Sequence, residues 1–186
     1  MIGLLPKTLQ INGISRAIRS DLRVALLIFE AYADPELSDQ DKTIVMLDCL
    51  YEDFDSFPQE DYQEAAEKAV WFLDGGKEYE ESKDNRKVLD WEQDEQLIFP
   101  AINKVAGYEI RAVEYLHWWT FLGLFNEIGE GLLSSVLNIR QKKNKGKKLE
   151  KYEQEFYREN KNLIDLKTKY SEEEQEEMDR LNKILG

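Results

Sequence analysis

The stretch that most restricts the fold is Leu116-His117-Trp118-Trp119-Thr120-Phe121-Leu122-Gly123-Leu124-Phe125. It places two of the four tryptophans and two phenylalanines within about three helical turns. Apolar side chains fall on almost every face, so a helix built from it needs other elements around it. The pattern predicts a central core helix from about Arg111 to Glu127, with its indoles inside. Two motifs flank it: Asp90-Trp91-Glu92-Gln93-Asp94 before, and Ile139-Arg140-Gln141-Lys142-Lys143 after.

The elements around that helix are mostly helical. Thr8 to Ile11 and Ile14 to Ala17 flank Asn12-Gly13, which supplies the two positive-φ positions of a type I′ turn, so a short hairpin at about 8–17 is expected as the only sheet. A helix from Ser20 or Asp21 to about Ala33 buries Leu22, Ala25, Leu26, Phe29 and Ala33. Asp34-Pro35 ends it. Ser38 caps a second helix lined by Ile44, Leu47, Leu50 and Tyr51 or Phe54. Phe57-Pro58 opens a third, with Tyr62, Ala65, Ala66, Ala69, Val70 and Leu73 as its stripe, and Asp74-Gly75-Gly76 stops it. Lys77 to Lys87 lacks apolar periodicity and is expected as an exposed, mobile loop, a candidate recognition arm.

Asp90 is expected to cap a fourth helix, with Leu97, Ile98, Ile102 and Val105 inward, Pro100 kinking it and Gly107 ending it. After Gly129 and Gly131, Leu132, Leu133, Val136, Leu137 and Ile139 form a short amphipathic helix that Gly146 breaks. From Leu149 a weak helix uses Tyr152, Phe156, Leu163 and Leu166 as a narrow seam and needs a partner. Ser171-Glu172-Glu173-Glu174 has the form of a capping box before a last helix with Met178, Leu181 and Leu185 on one side. The expected fold class is all-α: a compact multi-helix domain at 1–139 with a short N-terminal β-hairpin, then a basic junction and protruding C-terminal helices at 140–186.

Charge narrows the partners. Net charge is -13, yet residues 30–95 hold 22 acids against 6 bases, and 140–151 hold 7 bases against Glu150. An acidic body repels DNA and anionic lipid, so neither nucleic acid nor membrane is expected as a partner. Neither an apolar run long enough to span a membrane nor a secretory leader is evident, which leads to an expectation of the cytoplasm. The lone Cys49 forbids an internal disulfide and reads as a small core residue.

Catalytic chemistry has little to build on. Glu114-Tyr115-Leu116-His117 has the Glu-x-x-His spacing of di-iron bundles, but those sites need a second such motif and His117 is the only histidine. A structural histidine packed against Trp118 or Trp91 is the plainer role. No nucleophile elbow accompanies it, and the glycine pairs at 75–76 and 129–131 lack a phosphate-loop context. The expectation is a non-enzyme with no cofactor, no metal and no catalytic residue.

The Asp-Trp motif at 90–91, the Leu-His-Trp-Trp-Thr-Phe run at 116–121 and Ile139-Arg140, in that order and spacing, resemble a family of small tail proteins of long-tailed bacteriophages, gene product fifteen. The resemblance is best from about Leu89 to Leu166. Such genes commonly lie between the tail tube and tape-measure genes, the place of tail assembly chaperones, so the resemblance implies a non-enzymatic assembly role in the host cytoplasm. The partners it implies are the tape-measure protein, the tail tube protein or both. The alternative is a minor structural component of the finished tail, at the terminator or baseplate. No functional residue carries over from the family. From this chain's own residues, the candidate partner-binding set is the basic arm Arg140, Lys142, Lys143, Lys145, Lys147 and Lys148, for electrostatic steering, with the seam Tyr152, Phe156, Leu163 and Leu166. Packing back onto the body is the competing role for each. An acidic surface near 39–67 and a basic arm near 140–151 also suit head-to-tail self-association, which builds rings or filaments.

Overall fold

The computed structural model describes residues 3–77 and 86–185; the expected loop at 77–87 falls mostly outside them. The described residues hold one two-stranded sheet, nine α-helices and three short 3-10 turns. They divide into two compact units, one of residues up to 73 together with those from 168 on, the other of residues from 74 to 167.

In the first unit, β1 (Thr8–Ile11) and β2 (Ile14–Ala17) pair antiparallel with Thr8 opposite Ala17 and Ile11 opposite Ile14. Asn12 and Gly13 both take positive φ, 47° and 78°, as the type I′ turn requires. Leu9 and Ile11 enter the core. α1 (Leu22–Tyr32) starts on Asp21, whose carboxylate accepts from the Arg23 N–H. It buries Leu22, Ala25 and Ile28, while Leu26, Phe29 and Ala33 are half-buried. Ile28, not Phe29, is the deep residue. α2 (Asp39–Leu50) opens with Ser38 in a reciprocal capping box with Asp41. At its far end the Arg19 guanidinium donates to the carbonyls of Asp48 (2.8 Å) and Tyr51 (2.7 Å), a cation on helix-end acceptors. Met46, Leu47, Leu50 and Tyr51 are buried, whereas Ile44 stays exposed.

Tyr51 has no exposure and its hydroxyl donates to the Ala65 carbonyl at 2.9 Å, joining α2 to α3 (Tyr62–Leu73). Burial pushes that phenol well above its ordinary value. Phe72 joins Ala65, Ala69 and Leu73 in the core, and Val70 faces out. Cys49 is half-buried; burial first, and the neighbouring Asp48 second, push its thiol up. α9 (Glu172–Leu185) carries the expected box: Ser171 Oγ accepts from the Glu174 N–H at 3.2 Å, and Glu174 accepts from the Ser171 N–H at 2.9 Å.

The second unit comprises α4 (Glu95–Ala106), α5 (Trp118–Asn126), α6 (Leu132–Asn144), α7 (Lys151–Glu159) and α8 (Lys161–Ile164). α4 starts five residues after the predicted cap. Asp90 does cap, but it caps a single turn: its Oδ1 accepts from the N–H groups of Glu92 (3.1 Å) and Gln93 (2.8 Å). Asp94, at φ -94° and ψ 5°, interrupts the backbone before α4 begins. Leu97, Ile98 and Ile102 face inward as the spacing predicts; Val105 does not, and Phe99 takes an inner position instead. Gly107 closes the helix at φ 78°.

α5 is half the predicted length. Residues 110–112 form a 3-10 turn on Glu109, and Val113 is extended. Enclosure is one-sided: Trp118 and Phe121 are buried, while Thr120, Gly123 and Glu127, spaced three and four apart, line an exposed face. The predicted helix from Leu149 likewise divides, at Asn160 with φ -120°, into α7 and α8.

Candidate functional site

The motifs singled out in the sequence meet inside the second unit. Trp118 stacks on Phe121 at 5.2 Å between ring centroids, and Trp91 lies 6.0 Å from each of them and 5.6 Å from Phe125. Tilted and edge-on pairs of this kind add to plain burial. His117 is buried beside this cluster and caps α5: its Nδ1 accepts from the Trp119 N–H at 3.0 Å. Glu114 sits outside the helix and is exposed, so the Glu-x-x-His spacing does not share a helix face. Among the described residues no group of three His, Cys, Asp or Glu side chains could hold a metal ion.

Beside the rings lies a buried ion pair. Arg140 on α6 and Asp94 before α4 have side-chain exposures of 4% and 0%. All five guanidinium N–H groups are engaged. Nη1 donates to Asp94 Oδ2 (2.6 Å) and the Val88 carbonyl (3.0 Å). Nη2 donates to Asp94 Oδ1 (2.8 Å) and the Leu163 carbonyl (2.9 Å), and Nε to the Ile164 carbonyl (2.6 Å). Asp94 also accepts from the Asp90 N–H at 3.0 Å. One side chain thus joins the 88–94 segment, α6 and α8. Gln93 reinforces the link, donating to the Asp165 carbonyl and accepting from the Lys167 N–H.

The rest of the basic arm divides by position. Lys142 pairs with the buried Glu153 at 2.6 Å, and that carboxylate also accepts from Asn138 and from the Glu150 N–H. The Lys142 hydrogen bond, followed by the Glu150 N–H, holds Glu153 below its ordinary value. Lys143 reaches Asp165 and lies 3.9 Å above the Tyr157 ring. Burial alone would raise Asp165; donors on Lys143 and Tyr157 together outweigh it and lower that carboxyl. Lys145, Lys147 and Lys148 are exposed. Of the seam, Tyr152 is 68% exposed, Phe156, Leu163 and Leu166 are half-buried, and Ile164, absent from the expected seam, is the residue with no exposure.

Two hollows flank this hub. The larger, about 530 Å³, runs between α4 and the α5–α6 connection, lined by Leu97, Pro100, Val105, Ile128 and Leu132, with Lys104 and Glu127 also on its wall. Leu132 stands 50% exposed there. Pro100, inside α4, lacks the N–H for one helical hydrogen bond, but its ring is exposed on the wall of this hollow and displaces no core side chain. The smaller hollow, about 260 Å³, lies between α6 and α7 and is lined by Ser135, Asn138, Ile139, Tyr152, Glu153 and Phe156. Periodicity counts Leu132 among inward residues; the signal against that is its place directly after Gly131, at the first helical position, beyond the reach of the core stripe.

A family model described as Bacteriophage Gp15 protein matches residues 1–166. The chain belongs to that family. Comparisons with curated proteins and with solved structures find no match. As a Gp15 protein it is a bacteriophage structural or assembly protein. The three motifs that carry the resemblance are the parts of one packed hub: Asp90, Trp91 and Asp94, then His117 to Phe121, then Arg140. No helix among the described residues is long and apolar enough to cross a membrane.

Proposed function

We propose that this Gp15 protein is a non-enzymatic chaperone of tail morphogenesis that binds the tape-measure protein in the host cytoplasm before the tube polymerises. The observation that carries the proposal is the open apolar hollow between α4 and the α5–α6 connection, in a chain of a phage assembly family. Tape-measure segments present long apolar stripes that aggregate when bare. A helix-in-groove contact covers such a stripe, with Leu132, Val105 and Ile128 meeting its i and i+3/i+4 side chains. Arg140 is closed off by Asp94, so steering falls to Lys145, Lys147 and Lys148. The acidic body keeps loaded complexes apart, and tube subunits later displace the chaperone.

Co-expression with the tape-measure protein tests this. The native chain raises the soluble fraction of tape-measure protein and is missing from purified virions. Leu132→Asp, a change at a half-exposed position, leaves the fold intact and abolishes the gain in solubility. Retention in virions without any effect on solubility refutes the chaperone role and supports the alternative, a minor component of the finished tail.

A further inference from the structure

Every described side chain of α9 from Glu172 to Ile184 is exposed, including Met178 (38%), Leu181 (51%) and Ile184 (79%). At about 100° per residue these three fall in a sector of about 120°, an apolar stripe with nothing over it. A helix of 14 residues is marginal in water without such cover. The rest of α9 is acidic, with Glu172, Glu173, Glu174, Glu176, Glu177 and Asp179 against Arg180 and Lys183. It also lies beyond residue 166, where the family match ends.

The hollow between α6 and α7 has the opposite character. Ile139 forms its floor, and Phe156 and the 68% exposed Tyr152 its walls. Close in sequence stand Lys145, Lys147, Lys148 and Lys151, all exposed, none with an ion-pair partner among the described residues. The larger hollow is a poorer match for α9, because two carboxylates, Glu127 and Glu130, line it against the single cation Lys104, whereas the one carboxylate of the smaller hollow, Glu153, is paired with Lys142.

We infer that α9 of one copy docks on the α6–α7 hollow of a second copy, with Met178 and Leu181 against Ile139, Tyr152 and Phe156 and the carboxylates against Lys148 and Lys151. The contact joins two different surfaces, so it is heterologous and propagates head to tail. It uses a different hollow from the one proposed for the client and shares with it only the cation Lys148.

Light scattering on the full chain across concentration and salt tests this. The native chain shows a mass above 21.9 kDa that rises with concentration and falls with salt. Leu181→Asp and Tyr152→Asp, both at exposed positions, each give 21.9 kDa, with a circular dichroism loss no larger than the fraying of the uncovered α9. An equimolar mixture of the two variants recovers one intact contact and stops at two chains. A native chain that stays at 21.9 kDa at every concentration, as it does if α9 folds onto its own chain, overturns the inference. So does either variant that still assembles, or a mixture that stays monomeric.

Discussion

Replacing Arg140 by methionine keeps most of the side chain's length and removes the charge and all five donors. Asp94, with no exposure, is left with the Asp90 N–H alone. Removing one member of a buried ion pair costs about 3–5 kcal/mol. The carbonyls of Val88, Leu163 and Ile164 lose a donor as well, at about 1–3 kcal/mol for each acceptor left buried without a partner. Relaxation makes these losses overlap, so the expected destabilisation is about 5 kcal/mol, a large share of the 5–15 kcal/mol typical of a domain. Urea unfolding followed by tryptophan fluorescence measures it, since Trp91 and Trp118 stand in the adjoining ring cluster. The pair Asp94→Leu with Arg140→Met removes both charges, and a coupling of about 2 kcal/mol or more between the two changes is expected from a double-mutant cycle. A loss within about 0.5 kcal/mol, the value for an ordinary surface cation, refutes the hub.

Three further outcomes follow from the same geometry. His117→Ala removes the acceptor of the Trp119 N–H and lowers stability by about 1–2 kcal/mol in thermal unfolding, whereas His117→Asn, which can cap, loses less; equal losses would exclude the capping role. Glu153 is held below its ordinary value of 4.5, so its contribution is complete above that pH and disappears as pH falls through the lowered folded value. Protection factors of the α7 amides, taken against the intrinsic exchange rate at each pH, therefore fall on acidification below that ordinary value in the native chain, and in Lys142→Met the onset moves to higher pH; an unmoved onset would show that Lys142 does not set the titration. Gly107→Ala, at φ 78° with open space around the new Cβ, costs about 1–2 kcal/mol of backbone strain alone, and no loss of melting temperature would contradict the left-handed cap.

Elements whose chemistry is local were legible from residue order. Asn12-Gly13 names its own turn, Ser38 and Ser171 their own caps, and Gly75, Gly107 and Gly146 their helix ends. What periodicity missed was decided by partners far along the chain. Asp94 reads as one more carboxylate in a first helical turn until Arg140, 46 residues away, draws it inward. Arg140 in turn reads as the first cation of a solvated arm. The shortening of α5 has a similar origin: nothing in apolar spacing says that a histidine ring will replace the preceding turn of helix as the acceptor for Trp119. The candidate binding surface divides the same way. Tyr152 and Phe156 line a hollow and Lys145, Lys147 and Lys148 face water, while the hollow beside Leu132 depends on where α4 lies against the glycines at 129 and 131, a placement no spacing encodes.

The guanidinium that donates to Val88, Asp94, Leu163 and Ile164 at once also dictates an order of events during synthesis. Two of its five hydrogen bonds go to carbonyls delivered more than twenty residues after Arg140 itself. The indole cluster can gather earlier, but the latch over it closes only once residue 164 has left the ribosome. Until then the nascent second unit holds a half-satisfied charge and stays loose, an interval in which premature partners meet an unfinished surface.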